Sequence, residues 1–96
     1  MEYCCYILYS RLLDKYYIGE TEDIEKRLIL HNTGFFKPSF TSKTSDWVLY
    51  LKIECNNRKI ARYIERHIKS MKSRKYIENL KKYPEMIMKI QKEFHK

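Results

Sequence analysis

Five polar side chains carry most of the chemistry that this sequence offers. Two are tyrosines near the N-terminus, two lie one helical turn apart, and one is a distant glutamate: Tyr6, Tyr17, Arg27, His31 and Glu65. A carboxylate can hold a hard divalent cation, and a guanidinium can bind two phosphate oxygens at once. A phenol or a neutral imidazole can take a proton from an attacking water when its surroundings favour it. These are the groups that hydrolysis of a phosphodiester around one divalent cation requires.

Each of these residues also has an ordinary structural explanation when it is considered alone. The tyrosines could pack on a sheet face, and the chain has 9 tyrosines, so that explanation is serious. Arg27 could pair with Asp23, and Glu65 with Lys69, because residues four apart are neighbours on a helix. His31 could be a surface or capping residue. The functional interpretation therefore depends on the order of the set and on the elements that carry it.

The residues around the first four side chains predict a hairpin and then a helix. Residues 2–10 and 16–19 are rich in Tyr, Cys and Ile and predict two strands, close enough in sequence to pair antiparallel. Gly19 ends the second strand at a bend or a close backbone approach. Thr21 is predicted to cap a helix that runs to about His31. Arg27 and His31 would then share one face of that helix.

The rest of the chain predicts a third strand and further helices. The strand covers residues 47–54, after a loop at 35–46, and strict alternation puts Trp47, Leu49, Leu51 and Ile53 on one face. Asn56 or Asn57 caps a helix whose core stripe is Ile60, Ile64, Ile68 and Met71. Ser73 breaks or restarts this helix through about residue 82, and Pro84 opens a last helix to about residue 95.

The predicted fold is α+β, with a small three-stranded antiparallel or mixed sheet flanked by helices. We interpret residues 1–96 as one domain, with a motif-bearing core at about 3–80 and the C-terminal helix at about 84–95. No apolar run approaches the roughly 20 residues of a transmembrane helix, and no signal peptide is evident. The three cysteines, Cys4, Cys5 and Cys55, are interpreted as free thiols in a reducing cytoplasm. Adjacent strand residues point to opposite faces, so Cys4 and Cys5 are poorly placed to pair.

The positive charge is concentrated in one half of the chain. Residues 1–51 hold 6 Lys and Arg against 7 Asp and Glu, a net charge of −1, whereas residues 52–96 hold 14 against 5, a net charge of +9. Lys and Arg that neutralise phosphates release counterions, so the basic half favours a polyanionic partner. A solvated lysine-rich surface is the alternative on charge alone.

Two short motifs and the residues between them resemble the GIY-YIG nuclease family. Cys4-Cys5-Tyr6 and Tyr17-Ile18-Gly19 occupy the places of its paired Gly-Ile-Tyr and Tyr-Ile-Gly, the second literally. The run at residues 17–28 and the His31-Asn32-Thr33-Gly34 segment also resemble the family. Further matches are typical of its small single-domain (UvrC N-terminal-like) branch: Thr41-Ser42-Lys43 with Trp47, Ala61 with Glu65, Ile68 and Lys69, and residues 72–75.

The resemblance implies a role for each of the five side chains. Glu65 would be the sole protein ligand of a divalent metal, Mg²⁺ or Mn²⁺. Tyr17 would be the favoured general base, with neutral His31 as the alternative. Arg27 would bind the phosphate and could lower the pKa of a tyrosine. Tyr6 would contact the phosphate or orient the water, and His31 would position a tyrosine or contact the phosphate.

The same resemblance implies a nucleic-acid surface around this site. The expected phosphate contacts are basic residues of the loop and of the later helices: Lys43, Lys69, Lys72, Arg74 and Lys75. Aromatic residues in or just after the loop could stack on an unpaired base or pack in the core: Phe35, Phe36, Phe40 and Trp47.

The expected function is therefore that of a cytoplasmic, metal-dependent endonuclease acting on DNA by a one-metal mechanism. Because no separate DNA-binding module is evident, we expect low sequence specificity and a preference for single-stranded or branched DNA. The alternatives are a binding protein that keeps the fold without cutting, and a nuclease acting on RNA. No membrane association is expected, and monomer and homodimer both stay open.

Overall fold

A three-stranded antiparallel sheet with strand order β2-β1-β3 lies at the centre of the computed structural model, which describes residues 3–35 and 40–94. The predicted α+β fold is confirmed, and both strand pairings are antiparallel. The strands are β1 (Tyr3–Ser10), β2 (Lys15–Thr21) and β3 (Val48–Cys55). The helices are α1 (Ile24–Asn32), α2 (Arg58–Met71), α3 (Arg74–Lys82) and α4 (Pro84–Phe94), with a 3₁₀ turn at Phe40–Lys43.

The central strand β1 is buried on both faces and separates two apolar clusters. Cys5 and Ile7 face a large cluster under α2, α3 and α4. Cys4, Tyr6 and Leu8 face a smaller cluster beside α1, because successive strand side chains alternate between faces. The prediction that the adjacent cysteines point to opposite faces is confirmed, and all three cysteines are free and buried.

A β-bulge changes the predicted faces of β3. Ile7 pairs with Leu51, but its neighbour Leu8 pairs with Leu49, so the register shifts by one residue. Since the side-chain period of a strand is 2, the extra residue moves the preceding side chains to the other face. The prediction that Trp47 shares a face with Leu51 and Ile53 is therefore wrong: Trp47 packs in the smaller cluster and the other two in the larger one.

The N-cap of α1 is Asp23 rather than the predicted Thr21. An Asp23 carboxylate oxygen accepts the backbone N–H of Lys26 at 3.1 Å. Thr21 instead ends β2, and its hydroxyl oxygen accepts the N–H of Asp23 at 3.1 Å. Both residue types can cap a helix, but Thr21 is still part of β2, whereas Asp23 lies beyond the strand and can take the N-cap position. The helix thus begins at Ile24 and carries Arg27 and His31 on its later turns.

Helix α2 lies across β1 and β2 and buries a narrow face. Asn57 caps it by accepting the N–H of Ile60, and its buried residues are Ala61, Ile64 and Ile68. Met71, which we predicted in the stripe, is 44% exposed because it is the last residue of the helix and the chain then turns away. In the described part of the chain, no helix is long and apolar enough to span a membrane.

Candidate active site

The two motif strands bring Tyr6 and Gly19 against each other. Tyr6 on β1 pairs with Gly19 on β2, and the Tyr6 ring lies over the glycine backbone. A Cβ atom at residue 19 would lie only 2.6 Å from Tyr6 Oη and 2.7 Å from its Cζ. Tyr6 is 1% exposed, so the ring has no free space to move into. Glycine at this position is what allows the buried phenol to lie where it does.

His31 joins this phenol to the segment that follows α1. Its Nε2 lies 2.9 Å from Tyr6 Oη, and its Nδ1 lies 2.9 Å from Thr41 Oγ1. The Tyr17 ring contacts the same imidazole, with ring centroids 4.9 Å apart. Tyr6, Tyr17 and His31 are thus brought together as one cluster, with both nitrogens of the imidazole hydrogen-bonded.

Burial sets the protonation states inside this cluster. Burial, assisted by the positive charge of Arg27, lowers the pKa of His31 to about 4, so the imidazole is neutral at pH 7. Burial, followed by the neighbouring Tyr17, raises the pKa of Tyr6 well above its ordinary value, while Arg27 acts in the opposite direction. Tyr6 therefore keeps its proton. With the His31 ring proton on Nδ1, the Tyr6 hydroxyl donates to Nε2 and Nδ1–H donates to Thr41.

Arg27 and Glu65 approach the cluster from two different helices. Arg27 lies on α1, one turn before His31, and lines a cleft of about 200 Å³ with Arg58 of α2. Glu65 lies on α2, and its side chain is 19% exposed with Lys69 Nζ at 2.5 Å. The negative charge of Glu65 raises the pKa of Tyr6, whereas the positive charge of Arg27 lowers it. Both charges thus act on the phenol that the hairpin buries.

The basic residues predicted to contact phosphate differ in what already surrounds them. Lys69 is paired with Glu65, and Arg74 is paired with Asp14 and Glu78. Lys43 Nζ lies 5.4 Å from the centre of the Phe40 ring. Two further lysines project to the surface, Lys72 at the α2–α3 connection and Lys75 on α3.

The aromatic residues after α1 divide between surface and core. Phe35 is 66% exposed and Phe40 is 38% exposed, so both present ring surface to solvent. Trp47 is 2% exposed and packs in the core, which leaves it unable to stack on a base. Phe36 lies outside the described residues.

Sequence reasoning missed Thr41 and Asn32 as parts of this site. The side-chain amide of Asn32 bonds both backbone groups of Trp47, at 2.7 and 2.9 Å. The Trp47 indole N–H donates to the Thr41 carbonyl at 2.9 Å, and Thr41 in turn holds His31. The sequence does contain a signal for Thr41, namely the Thr-Ser-Lys run followed by a tryptophan. Only the hydrogen bonds show that this segment holds His31 in place.

The hairpin, the helix and the buried phenol–imidazole pair belong to a small α+β fold. The family model described as the GIY-YIG catalytic domain matches residues 2–83, and the chain belongs to that family. Membership indicates a nuclease-type function. No curated protein and no solved structure gave a significant match to this chain.

Proposed function

We propose that this protein is a divalent-metal-dependent endonuclease that hydrolyses phosphodiester bonds of DNA. The observation that supports this most directly is the convergence on Tyr6. Its hydroxyl is hydrogen-bonded to His31, and its pKa responds to both Arg27 and Glu65. A cation-binding carboxylate, a phosphate-binding guanidinium and proton-transferring groups thus act on one small region, as hydrolysis of a phosphodiester requires.

Tyr17 is the favoured general base in this proposal. His31 is 2% exposed and both of its nitrogens already have hydrogen-bond partners, so an attacking water has poor access to either. Tyr17 contacts the same imidazole from a half-buried position that solvent reaches. His31 is then a positioning residue, which acts on the reaction through the two tyrosine rings.

Arg27 would bind the phosphate under attack. Arg27 lines a cleft on the surface, and its positive charge lowers the pKa values of Tyr6 and His31. Two N–H groups of one guanidinium can bond two non-bridging oxygens, which fixes the phosphate and offsets the charge that grows on it. The same cation would favour the ionised form of a nearby phenol.

Glu65 would hold the metal ion. No group of three or more His, Cys, Asp or Glu side chains suited to a metal is found among the described residues, so a closed protein cage is not the arrangement there. A single carboxylate fits Mg²⁺ or Mn²⁺, since these ions retain several water ligands and bind phosphate oxygens. When bound, the ion would stabilise negative charge on the phosphate and on the leaving oxygen. Lys69 Nζ contacts Oε2 of this carboxylate at 2.5 Å, so Lys69 would compete with a metal ion that binds the same oxygen.

Five basic residues of the 3₁₀ turn and of the later helices would bind the DNA backbone without reading its sequence. Lys43, Lys69, Lys72, Arg74 and Lys75 are the proposed phosphate contacts, and phosphate contacts position a strand but carry no sequence information. The exposed Phe35 and Phe40 rings could stack on unpaired bases, which favours single-stranded or branched DNA. The three free thiols favour a reducing compartment, the cytoplasm.

A cleavage assay tests the proposal. Labelled single-stranded, duplex and branched DNA, with matched RNA, would be incubated with Mg²⁺, Mn²⁺ or EDTA. We expect cutting of DNA that EDTA abolishes and that Glu65→Gln reduces by more than about a hundredfold, since even residues that only support a metal ligand typically cost 10–100-fold when replaced. Glu93→Gln removes one exposed carboxylate from α4 and serves as the matched control, with activity unchanged.

Each other outcome has a distinct meaning. Cutting that persists in EDTA would refute metal dependence, and equal cutting of duplex and single strands would refute the structural preference. Cleavage that requires a 2′-hydroxyl would make RNA the substrate. Binding of DNA without cutting, unchanged in Glu65→Gln, would favour a protein that keeps the fold for binding alone.

A further inference from the structure

A cleft at the edge of the sheet adjoins the proposed active site. It opens between the edge strand β2, the end of α2 and the start of α3, and has a volume of about 370 Å³. Its floor is apolar and includes Ile18, Ile68 and Ile77. Its rim carries four cationic side chains: Lys15, Lys69, Lys72 and Arg74. An apolar floor inside a cationic rim suits a ligand with a flat apolar body and an anionic group.

One wall of this edge cleft is fixed without any ligand. Arg74 donates a hydrogen bond to the carbonyl oxygen of Asp14 at 2.9 Å and pairs with the carboxylate of the same residue. The Tyr9 hydroxyl donates to that carboxylate at 2.6 Å, and the Arg74 guanidinium lies 5.2 Å from the centre of the Tyr16 ring. A cation held in this way loses little conformational freedom when a ligand arrives.

Lys72 supplies the second observation. It connects α2 to α3 in the left-handed region, at φ 47° and ψ 41°, where helix ends favour glycine. Its ammonium makes no ion pair with any residue at 3–35 or 40–94. Backbone strain of this kind clusters at functional sites, and an exposed ammonium without a counter-charge is available to an anion.

One residue, Lys69, connects the edge cleft with the proposed metal site. Lys69 lines the cleft and also contacts Glu65, one helical turn earlier on α2. A DNA strand whose phosphate lies at Glu65 would pass its next nucleotide over this cleft. In paired DNA that base is held in the duplex, but an unpaired base is free to leave the strand axis and enter an apolar recess.

We propose that the edge cleft receives one unpaired nucleotide of the DNA substrate, with its base on the apolar floor and its phosphate against Lys72. This inference rests on the proposed function and adds the feature of DNA that the protein recognises. It also gives a structural reason for a preference for unpaired DNA that is independent of the exposed phenylalanines.

The test compares two DNA bulges that differ only in one base. Three labelled duplexes would be bound to the protein in EDTA and followed by fluorescence anisotropy: one fully paired, one with a single unpaired thymidine, and one with an unpaired abasic residue. The two bulges carry the same number of phosphates and differ in the presence of the base. We expect the thymidine bulge to bind about fivefold more tightly than the abasic one, since stacking or burial of one base gives an effect of at least this size.

Variants of Lys72 test the phosphate contact. Lys72→Gly should weaken binding of the thymidine bulge about tenfold, as expected for one lost bond to a charged group. It should also reduce the slope of log K against log salt by about 0.9, the value for one phosphate. Lys92→Ala removes one exposed charge from α4 and should change neither quantity.

The same variants separate binding from folding. Glycine is favoured in the left-handed region, so the urea midpoint of Lys72→Gly should equal or exceed that of the parent. Lys72→Asn also tolerates this conformation and provides a second neutral variant. Equal affinity for the two bulges, or full binding by both neutral variants, would overturn the inference. If the protein cuts DNA but prefers neither bulge, only the edge cleft is refuted, whereas failure to bind or cut any DNA refutes the proposed function.

Discussion

Replacing Gly19 with alanine should disrupt the candidate site, because it adds a methyl group directly against the buried phenol of Tyr6. The new Cβ would lie 2.6 Å from Tyr6 Oη, and ordinary contact begins at 3.4 Å, so the phenol must move by about 0.8 Å. The Tyr6–His31 hydrogen bond is 2.9 Å long, and a displacement of this size away from the imidazole would break it.

The expected loss of stability follows from two effects. Overpacking a buried site costs about 1–3 kcal/mol, and Tyr6, which is 1% exposed, has no space into which it can relax. Leaving a buried hydrogen-bonding group without its partner costs about 1–3 kcal/mol. We therefore expect Gly19→Ala to lower the free energy of unfolding by about 4 kcal/mol, taking the middle of the combined range.

Urea unfolding measures this loss, because the chain has 1 tryptophan and Trp47 is buried beside the site. Gly34→Ala is the matched control: Gly34 has φ 73°, so alanine there costs about 1 kcal/mol through the backbone alone. In Gly19→Ala the ¹⁵N shifts of the His31 ring should also change, and in Gly34→Ala they should not. A loss no larger than that of the control, with unchanged His31 shifts, would refute the reasoning.

A second variant separates the two effects. In a Tyr6→Phe background the hydrogen bond to His31 is already absent and the 2.6 Å contact with Oη is removed, although the 2.7 Å contact with the ring carbon remains. The cost of Gly19→Ala should therefore fall by about 1 kcal/mol in this background. Strict additivity of the two substitutions would show that the alanine methyl does not act through the phenol.

Three further predictions concern the residues that hold His31 and its helix. Thr41→Val removes the oxygen beside His31 Nδ1 and should cost about 2 kcal/mol in urea unfolding, since a buried ring nitrogen loses its partner. The pKa of His31 is lowered to about 4, so as the pH falls the unfolded chain takes up a proton on this imidazole before the folded chain does. The free energy of unfolding should therefore fall by roughly 2 kcal/mol between pH 6.5 and pH 4. In His31→Gln this pH-dependent loss should be absent. Asp23→Ala should cost about 1 kcal/mol through loss of the α1 cap, whereas Asp23→Asn can still cap and should cost much less; equal losses in the two variants would contradict the cap assignment.

The order of elements could be predicted from the sequence because each has a strong local signal. The tyrosine-rich strands, the Asn57 and Ser73 caps and the proline that opens α4 are all recognisable from a few neighbouring residues. The convergence of Tyr6, Tyr17 and His31 could be expected only from the resemblance to a family, since nothing local links residues that far apart in sequence.

The features that could not be predicted depend on competition between distant groups. The bulge opposite Ile7 and Leu8 is a property of two strands, and it reverses the faces that alternation in β3 alone predicts. Thr21 and Asp23 are equally good caps by residue type, and only the end of β2 decides between them. Thr41 is positioned beside His31 partly by the Trp47 indole N–H, which donates a hydrogen bond to the Thr41 carbonyl oxygen.

The two parts of the proposed site come from opposite faces of the sheet. Tyr6 and His31 belong to the layer beside α1, whereas Glu65 stands on α2, which covers the opposite face of the sheet. Yet the charge of Glu65 raises the pKa of Tyr6 on one face of β1 and that of Cys5 on the other. An electrostatic effect of this kind passes through a single layer of backbone, so Glu65 can influence Tyr6 although α2 and α1 cover different faces of the sheet. In the proposed reaction, a substrate phosphate that contacts both Glu65 and Arg27 would have to reach groups from both layers, and the three-stranded sheet with β1 at its centre keeps those layers close together.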